Sequence, residues 1–132
     1  MSDRVLVDTS AWVDFFRHGV GNVSDTVARL YNGGLAVLAG PVAAELLRGA
    51  RGRKERTTLD NLFHTADWIT VTDETWLQAG ALGGRLREAG HTPGTVDLVL
   101  AAAAMEAGCS ILTLDRHFEA IAAHSPLMLV SI

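Results

Sequence analysis

Short apolar runs alternate along the chain with longer segments in which apolar residues recur every three or four positions. Each short run is bounded by polar or turn-forming residues, which is typical of a buried β-strand. The longer segments predict helices that bury one face, and the alanine-rich one is apolar nearly throughout. The predicted strands are Arg4–Val7, Leu35–Ala39, Trp68–Val71, Ile111–Leu114 and Leu127–Ile132.

Capping and breaking residues set the expected ends of the helices. Thr9 or Ser10 is expected to cap the first helix, and Ser24 is expected to cap the second. Gly108 has the position of a glycine C-cap at the end of the alanine-rich segment. The predicted helices cover Trp12 to Phe16, Asp25–Tyr31, a stretch from Gly40-Pro41, Thr57–Ala66, Asp73 to Leu86, Thr95 or Val96 to Gly108, and Phe118–Ala123.

The order of these elements favours an α/β fold. Strands that alternate with helices form parallel sheets covered on both faces, and continuous apolar strands suit that environment. A chain of 132 residues is long enough for one core and too short for two. We therefore expect a single domain over residues 1–132.

Four carboxylates stand beside apolar residues, where an unpaired charge is costly. Asp8 and Asp115 each follow a predicted strand, and Glu45 and Asp97 are placed in the first turns of predicted helices. Ligands of open parallel sheets bind beyond the carboxyl ends of the strands, so these acids are expected to meet there. Converging acids raise each other's pKa unless a divalent cation neutralises them. The pattern predicts a Mg²⁺ or Mn²⁺ site.

Composition narrows the function classes. The chain has 11 Lys and Arg against 15 Asp and Glu, a net charge of −4, which disfavours a nonspecific nucleic-acid coat. Five of the basic residues fall between Arg48 and Arg56, either as a patch that attracts a polyanion or as a solvated helix end. Cys109 is the only cysteine, so no internal disulfide or thiolate metal cage is expected. The absence of a basic leader or a long apolar span favours a soluble, cytoplasmic protein.

The segments around the four carboxylates also resemble a known family. They are Leu6-Val7-Asp8-Thr9-Ser10-Ala11-Trp12, Val42-Ala43-Ala44-Glu45-Leu46, Asp97-Leu98-Val99-Leu100 with the following four alanines, and Leu112-Thr113-Leu114-Asp115-Arg116-His117-Phe118. Their order and spacing resemble those of PIN-domain ribonucleases. The length is most similar to the VapC toxins of toxin–antitoxin pairs. This resemblance implies a three-layer α/β/α sandwich with a five-stranded parallel sheet.

The resemblance also implies an activity and partners. It implies a Mg²⁺- or Mn²⁺-dependent endoribonuclease that acts on a structured RNA such as tRNA or rRNA, is usually a homodimer and is inhibited by a small VapB-like antitoxin. The acidic centre carries over to Asp8, Glu45, Asp97 and Asp115, with Ser10 and Thr113 in positions that support it by hydrogen bonding.

Phosphodiester hydrolysis suggests a division of labour among these acids. Asp8 and Asp97 are expected to contact the ion directly or through water, and Asp115 to hold a second ion or orient the waters. Glu45 is the best candidate for orienting or deprotonating the attacking water. Arg48, Arg51 and Arg116 are candidates for binding RNA phosphates. His117, beside Arg116, is interpreted as a surface residue.

Other interpretations remain open at this point. Each acid taken singly fits a helix cap or first turn. The aromatic residues Trp12, Phe15 and Phe16 suit the core or a groove for a partner. Alternative functions are an RNA-processing PIN nuclease without an antitoxin and a non-catalytic module that binds RNA or protein. A receiver-like phosphoryl-transfer domain needs a lysine near its last acidic strands, and the only lysine is Lys54.

Overall fold

The computed structural model describes residues 3–132. The strands are β1 (Val5–Val7), β2 (Ala36–Leu38), β3 (Asp67–Trp68) and β4 (Ser110–Leu112). The helices are α1 (Thr9–Arg17), α2 (Asn22–Asn32), α3 (Gly40–Gly49), α4 (Gly52–Thr65), α5 (Asp73–Glu88), α6 (Thr95–Ala107) and α7 (His117–Ala123). The expected α/β class, a parallel sheet flanked by helices, is confirmed.

The strands lie in the order β3-β2-β1-β4, and every pair is parallel. The chain moves outward from β1 to β2 and β3, and then returns across the sheet to place β4 on the other side of β1. Right-handed crossovers in opposite directions put their helices on opposite faces. The order therefore reverses between β1 and β4, the point at which such sheets bind ligands.

Two groups of helices cover the sheet. α1 packs against α2 and α3, and α3 packs against α4, whereas α6 packs against α5 and α7. The residues from Leu98 to Ala104 are all buried, as expected for a helix that is apolar on every side. The small alanine side chains let α6 approach its neighbours closely, so its first turn is firmly placed at the carboxyl edge of the sheet.

The fifth strand expected over Leu127–Ile132 is wrong for the described residues, because this segment forms only an isolated parallel bridge between Leu129 and Ile111. Two hydrogen bonds hold it, from Ile111 N to Met128 O at 3.0 Å and from Val130 N to Ile111 O at 2.9 Å. β4 spans only three residues, so it offers its outer neighbour little length for a ladder.

The third strand also differs from its prediction over Trp68–Val71. It covers Asp67–Trp68, both exposed at the margin of the sheet, and Ile69 N still donates to Leu38 O at 2.8 Å. The apolar residues that suggested a longer strand lead into the turn before α5. Among the described residues, no helix is both long and apolar enough to cross a bilayer.

Several expected helix starts are also wrong. Gly21, not Ser24, is the N-cap of α2, and the buried Ser24 hydroxyl donates instead to Asp14 Oδ2 at 3.1 Å. α4 begins at Gly52 rather than Thr57, so most of the basic segment is helical. Gly52 itself has φ +76°, a conformation that only glycine adopts readily, and this turn lets the helix begin here. The C-cap at Gly108, with φ +69°, is as predicted.

Candidate active site at the carboxyl edge of the sheet

Asp8 lies where β1 passes into α1. Val7 pairs with Leu112, and Asp8 N donates to Leu112 O at 2.9 Å. Asp8 and Thr113 therefore leave the sheet side by side. The Thr113 hydroxyl donates to Asp8 Oδ2 at 2.8 Å, and the Ser10 hydroxyl donates to the same oxygen at 3.2 Å.

The environment of Asp8 is unfavourable for its charge. Only 6% of the residue is exposed. Burial raises the pKa of Asp8 above its ordinary value, while the hydrogen bonds from Thr113, Thr9 N and Ser10 work in the opposite direction. The negative charge of Glu45 adds to the rise. A buried carboxylate with a raised pKa is typical of a functional site.

The loop after β4 orients Asp115. Thr113 Oγ1 accepts from Asp115 N at 2.9 Å, and Ser10 Oγ accepts from Leu114 N at 3.0 Å. Asp115 Oδ1 in turn accepts from His117 N at 2.9 Å. Asp115 stands three residues beyond β4, not directly after the strand as expected. The hydroxyls bring its carboxylate back to the edge, and they tie it to the group that holds Asp8.

Glu45 reaches the edge from the second turn of α3, because this helix begins at Gly40. The expected place in the first turn is therefore wrong. Helical side chains lean toward the N-terminus, and the longer glutamate side chain covers the extra distance. The Thr9 hydroxyl donates to Glu45 Oε1 at 2.7 Å and so fixes the carboxylate across 36 residues of sequence.

Asp97 lies in the first turn of α6. Burial, followed by the negative charge of Asp115 and Asp8, raises the pKa of Asp97 to about 6. Glu45 contributes further to the rise, and His117 opposes it. Asp97 therefore lies within electrostatic range of Asp115, Asp8 and Glu45 at the carboxyl edge of the sheet.

The described residues contain one group of three metal-ligating side chains with donor atoms within 4.8 Å of one another: Asp97, Asp115 and His117. The negative charges of Asp8 and Glu45 act on Asp97 of this group. Hydrogen bonds from hydroxyl groups hold both carboxylates in place. Carboxylate oxygens are the ligands that Mg²⁺ and Mn²⁺ prefer, and a divalent cation would relieve the repulsion. The residues present therefore fit such an ion.

Sequence comparison places this geometry in a family. The chain matches the PIN domain over residues 5–124. Ribonuclease VapC11 of Mycobacterium tuberculosis is 34% identical over 122 residues, which cover 89% of this chain and 91% of that protein. The chain belongs to the PIN-domain family, among the VapC ribonucleases.

Solved structures share the PIN fold along nearly the whole chain. The VapBC2 complex of Rickettsia felis, bound to a DNA fragment from its promoter, matches with a TM-score of 0.78 at 18% identity, covering 96% of both chains. VapC20 of M. tuberculosis, described as a sarcin–ricin loop cleaving toxin, matches with a TM-score of 0.65 at 20% identity and covers 88% of this chain and 93% of that one. At these identities the likeness shows the fold.

Two residues of this PIN-domain site were missed by the sequence interpretation. Thr9 or Ser10 was expected to cap α1, but the N-cap is Asp8, without a side-chain capping bond, and Thr9 contacts Glu45 instead. His117 was interpreted as a surface residue, and its side chain is indeed 73% exposed, but its position beside Asp97 and Asp115 was missed. Its position two residues after Asp115, at the start of a helix, was the available signal.

The three predicted RNA-binding residues have exposed side chains. Arg48 lies in the last turn of α3, Arg51 is the N-cap of α4, and Arg116 is the N-cap of α7. Arg116 lines a small cavity of about 150 Å³ together with Asp115. The structure leaves all three guanidinium groups accessible to solvent.

A second, larger groove opens beside Glu45. It has a volume of about 280 Å³ and lies between α1, α3 and α4. Phe16, which is 36% exposed and stacks on the buried Trp12, forms part of its apolar wall with Val13 and Leu46. Glu45 links the acidic site to this groove.

Proposed function

We propose that this protein is a divalent-metal-dependent endoribonuclease that acts in the cytoplasm as the toxin of a VapBC-type pair. The observation that carries the proposal is the convergence of Asp8, Glu45, Asp97 and Asp115 at the carboxyl edge, where the pKa of Asp97 rises to about 6. The relatives at 34% identity are named ribonucleases, which supports the same activity here.

The residues divide the chemistry of phosphodiester hydrolysis. A bound Mg²⁺ or Mn²⁺ would supply charge neutralisation at the phosphate and a water of lowered pKa. Asp97 and Asp115 would hold the ion, with Asp8 contacting it directly or through water. Glu45, fixed by the Thr9 hydroxyl, would orient the attacking water or accept its proton.

The substrate is proposed to be a structured RNA such as tRNA or rRNA. The accessible guanidinium groups of Arg48, Arg51 and Arg116 suit contacts to phosphates that flank the cut. The description of VapC20 as a sarcin–ricin loop cleaving toxin supports an RNA loop as the class of target. A local basic rim would guide RNA toward an acidic site in a protein of net negative charge.

The proposed partner is a small VapB-like antitoxin, and the groove beside Glu45 is its proposed seat. Three of the fold neighbours are VapBC complexes. The groove is mostly apolar, and Lys54, Glu55 and Arg17 stand on its border. Phe16→Glu would weaken co-purification with an antitoxin candidate encoded beside the gene and leave RNA cleavage unchanged. Equal co-purification would reject the groove as the seat.

A homodimer is proposed as the working assembly. Trp76 and Leu77 are consecutive residues of α5 whose exposed fractions are 47% and 69%. Adjacent exposed apolar side chains are typical of an interaction surface. Light scattering of the purified protein would give twice the monomer mass, and Leu77→Glu would return the monomer. A wild-type monomer would reject this assembly.

The nuclease is tested by incubating total cellular RNA with purified wild type and Asp8→Asn in Mg²⁺, Mn²⁺ or EDTA, and mapping the new 5′ ends. We expect metal-dependent cuts at a defined site, lost with EDTA and in the variant. The matched control is Asp25→Asn, because Asp25 is an exposed acid in the first turn of α2.

Each outcome separates the functions considered. A defined metal-dependent cut with inhibition by the antitoxin candidate supports the toxin. The same cut without such an inhibitor indicates a PIN nuclease of RNA processing. No cut by folded wild type that binds metal would reject the enzyme and favour a non-catalytic binding module.

A further inference from the structure

His117 is held against the acidic site from two directions. Its Nδ1 lies 3.2 Å from Asp115 Oδ1 and 3.9 Å from Asp97 Oδ2. Its backbone N–H donates to the same Asp115 oxygen at 2.9 Å. The imidazole therefore faces carboxylates from two separate elements, the β4–α7 loop and the first turn of α6.

The neighbouring residue anchors this position. Phe118 follows directly and is fully buried in the core, so the first turn of α7 cannot swing away without exposing an aromatic ring. The side chain of His117 itself is 73% exposed. A histidine on a fixed backbone with an accessible ring nitrogen is suited to binding an ion that arrives from solvent.

The spacing of the donor atoms fits a shared ion. An octahedral ion with ligands at about 2.1 Å has neighbouring ligands about 3.0 Å apart and opposite ligands about 4.2 Å apart. The distances of 3.2 and 3.9 Å from Nδ1 lie between these limits. Asp97, Asp115 and His117 together form the only such triad among the described residues.

The identity of the third donor has a chemical consequence. Mg²⁺ binds oxygen ligands and retains its waters, whereas imidazole nitrogen is a ligand for transition metals. Two carboxylates alone would serve Mg²⁺ and Mn²⁺ about equally. A nitrogen in the same set favours the transition ion.

We propose that His117 is a direct metal ligand that makes this site select Mn²⁺ over Mg²⁺. The inference rests on the proposed metal-dependent function, because it names the ion of that same site. The competing role for His117 is that of a fixed counter-charge, which would neutralise the acids in place of an ion. The two roles predict opposite effects of removing the imidazole.

The test is titration of the metal-free protein at pH 8 with MnCl₂ and, separately, MgCl₂ by calorimetry, without RNA. We expect His117→Ala to weaken Mn²⁺ binding by about tenfold or more and to change Mg²⁺ binding by less than about twofold. His18→Gln is the matched control, because His18 is an exposed histidine at the other end of α1. Thermal melting of each variant confirms that it is folded.

A spectroscopic measurement makes the test direct. Pulsed electron paramagnetic resonance of the Mn²⁺-loaded protein should show coupling to a directly bound nitrogen, which disappears in His117→Ala and persists in His18→Gln. Absence of nitrogen coupling in wild type, equal weakening of both ions, or tighter binding in His117→Ala would overturn the proposal. Since no RNA is present, an inactive nuclease with His117-dependent Mn²⁺ binding would reject the proposed function and leave this inference standing.

Discussion

Hydroxyl–carboxylate contacts occur near both ends of α6, in different arrangements. At the C-terminal end, the buried Thr75 hydroxyl donates to Glu106 Oε2 at 2.9 Å, and Thr75 forms a capping box with Thr72 at the start of α5. At the N-terminal end, the hydroxyls of Thr9, Ser10 and Thr113 contact Glu45 and Asp8. The first arrangement caps the start of α5, whereas the second holds carboxylates in position.

The two sets of hydroxyls differ in whether they cap the start of a helix. The box at α5 satisfies backbone donors that would otherwise lack partners. Asp8, the N-cap residue of α1, makes no side-chain capping bond, and neither Thr9 nor Ser10, both residues of a capping type, takes that position. Local stability is given up at the edge where four carboxylates meet, as is expected where function competes with consistent local structure.

The largest expected effect comes from exchanging one acid at each end. Glu45→Gln should lower the rate of RNA cleavage by roughly 10²–10⁴-fold, because the amide cannot accept a proton from the attacking water. Glu106→Gln should leave the rate unchanged. Single-turnover cleavage with saturating metal measures both. A rate loss below about tenfold in Glu45→Gln would remove Glu45 from the chemical step.

An isosteric pair separates the roles of the hydroxyls. Thr75→Val should lower the free energy of unfolding by about 1–3 kcal/mol, since it removes buried hydrogen bonds, without changing the cleavage rate of the folded protein. Thr9→Val should lower that rate roughly 10- to 100-fold by freeing Glu45, with little change in stability. Urea melts and cleavage rates on the same samples test the pair, and effects of equal kind at both positions would contradict the distinction.

The raised pKa of Asp97 predicts a pH-dependent stability. Its pKa of about 6, against an ordinary 3.8, means that the folded protein binds this proton more tightly than the unfolded chain. The carboxylate therefore destabilises the fold increasingly from about pH 4 to pH 6 and by a constant amount above that. In EDTA at pH 7, Asp97→Asn should be more stable by about 1–2 kcal/mol, which is less than the full shift implies because solvent reaches the site.

The advantage of Asp97→Asn should shrink as the pH falls from about 6 to about 4 and vanish near pH 3, where the wild-type carboxyl is mostly protonated in both states. Denaturant melts at several pH values give the two curves. Asp25→Asn, at an exposed position of α2, should run parallel to wild type. Parallel curves for Asp97→Asn as well would show that this carboxyl carries no unfavourable charge.

The smallest expected effect concerns the exposed arginines proposed to contact RNA phosphates. Arg48→Gln and Arg51→Gln should each raise KM for RNA and reduce its logarithmic salt dependence by about 0.7–0.9, the value of one lost phosphate contact. Arg29→Gln, an exposed arginine on α2, serves as the control. KM measured over a range of KCl concentrations tests this. An unchanged slope would show that Arg48 and Arg51 do not contact RNA phosphates.

Much of this structure could be predicted from local patterns. The apolar runs and the C-cap at Gly108 located most strands and the end of α6, since burial and backbone strain act within a few residues. Asp8 and Asp97 were placed correctly for the same reason. The resemblance of four ordered segments to PIN-domain ribonucleases supplied the family.

The rest depended on contacts that span the chain. Thr9 and Glu45 are 36 residues apart, and the choice of Thr9 between capping α1 and holding Glu45 is made only once α3 is packed. Whether the final segment forms a strand depends on how far β4, its neighbour, extends. The place of His117 among the acids follows from a turn around Asp115 and from Asp97 on another helix, neither of which leaves a periodic signal.

The isolated bridge at Leu129 has a consequence for local opening of the fold. β1 is bonded to strands on both sides, whereas the outer side of β4 meets the final segment through the two hydrogen bonds at Ile111. Opening that segment breaks few bonds, so its free energy lies far below that of global unfolding. Val130 N–H should exchange with deuterium well before Leu6 N–H, and each opening exposes the outer edge of the strand that leads to Thr113 and Asp115.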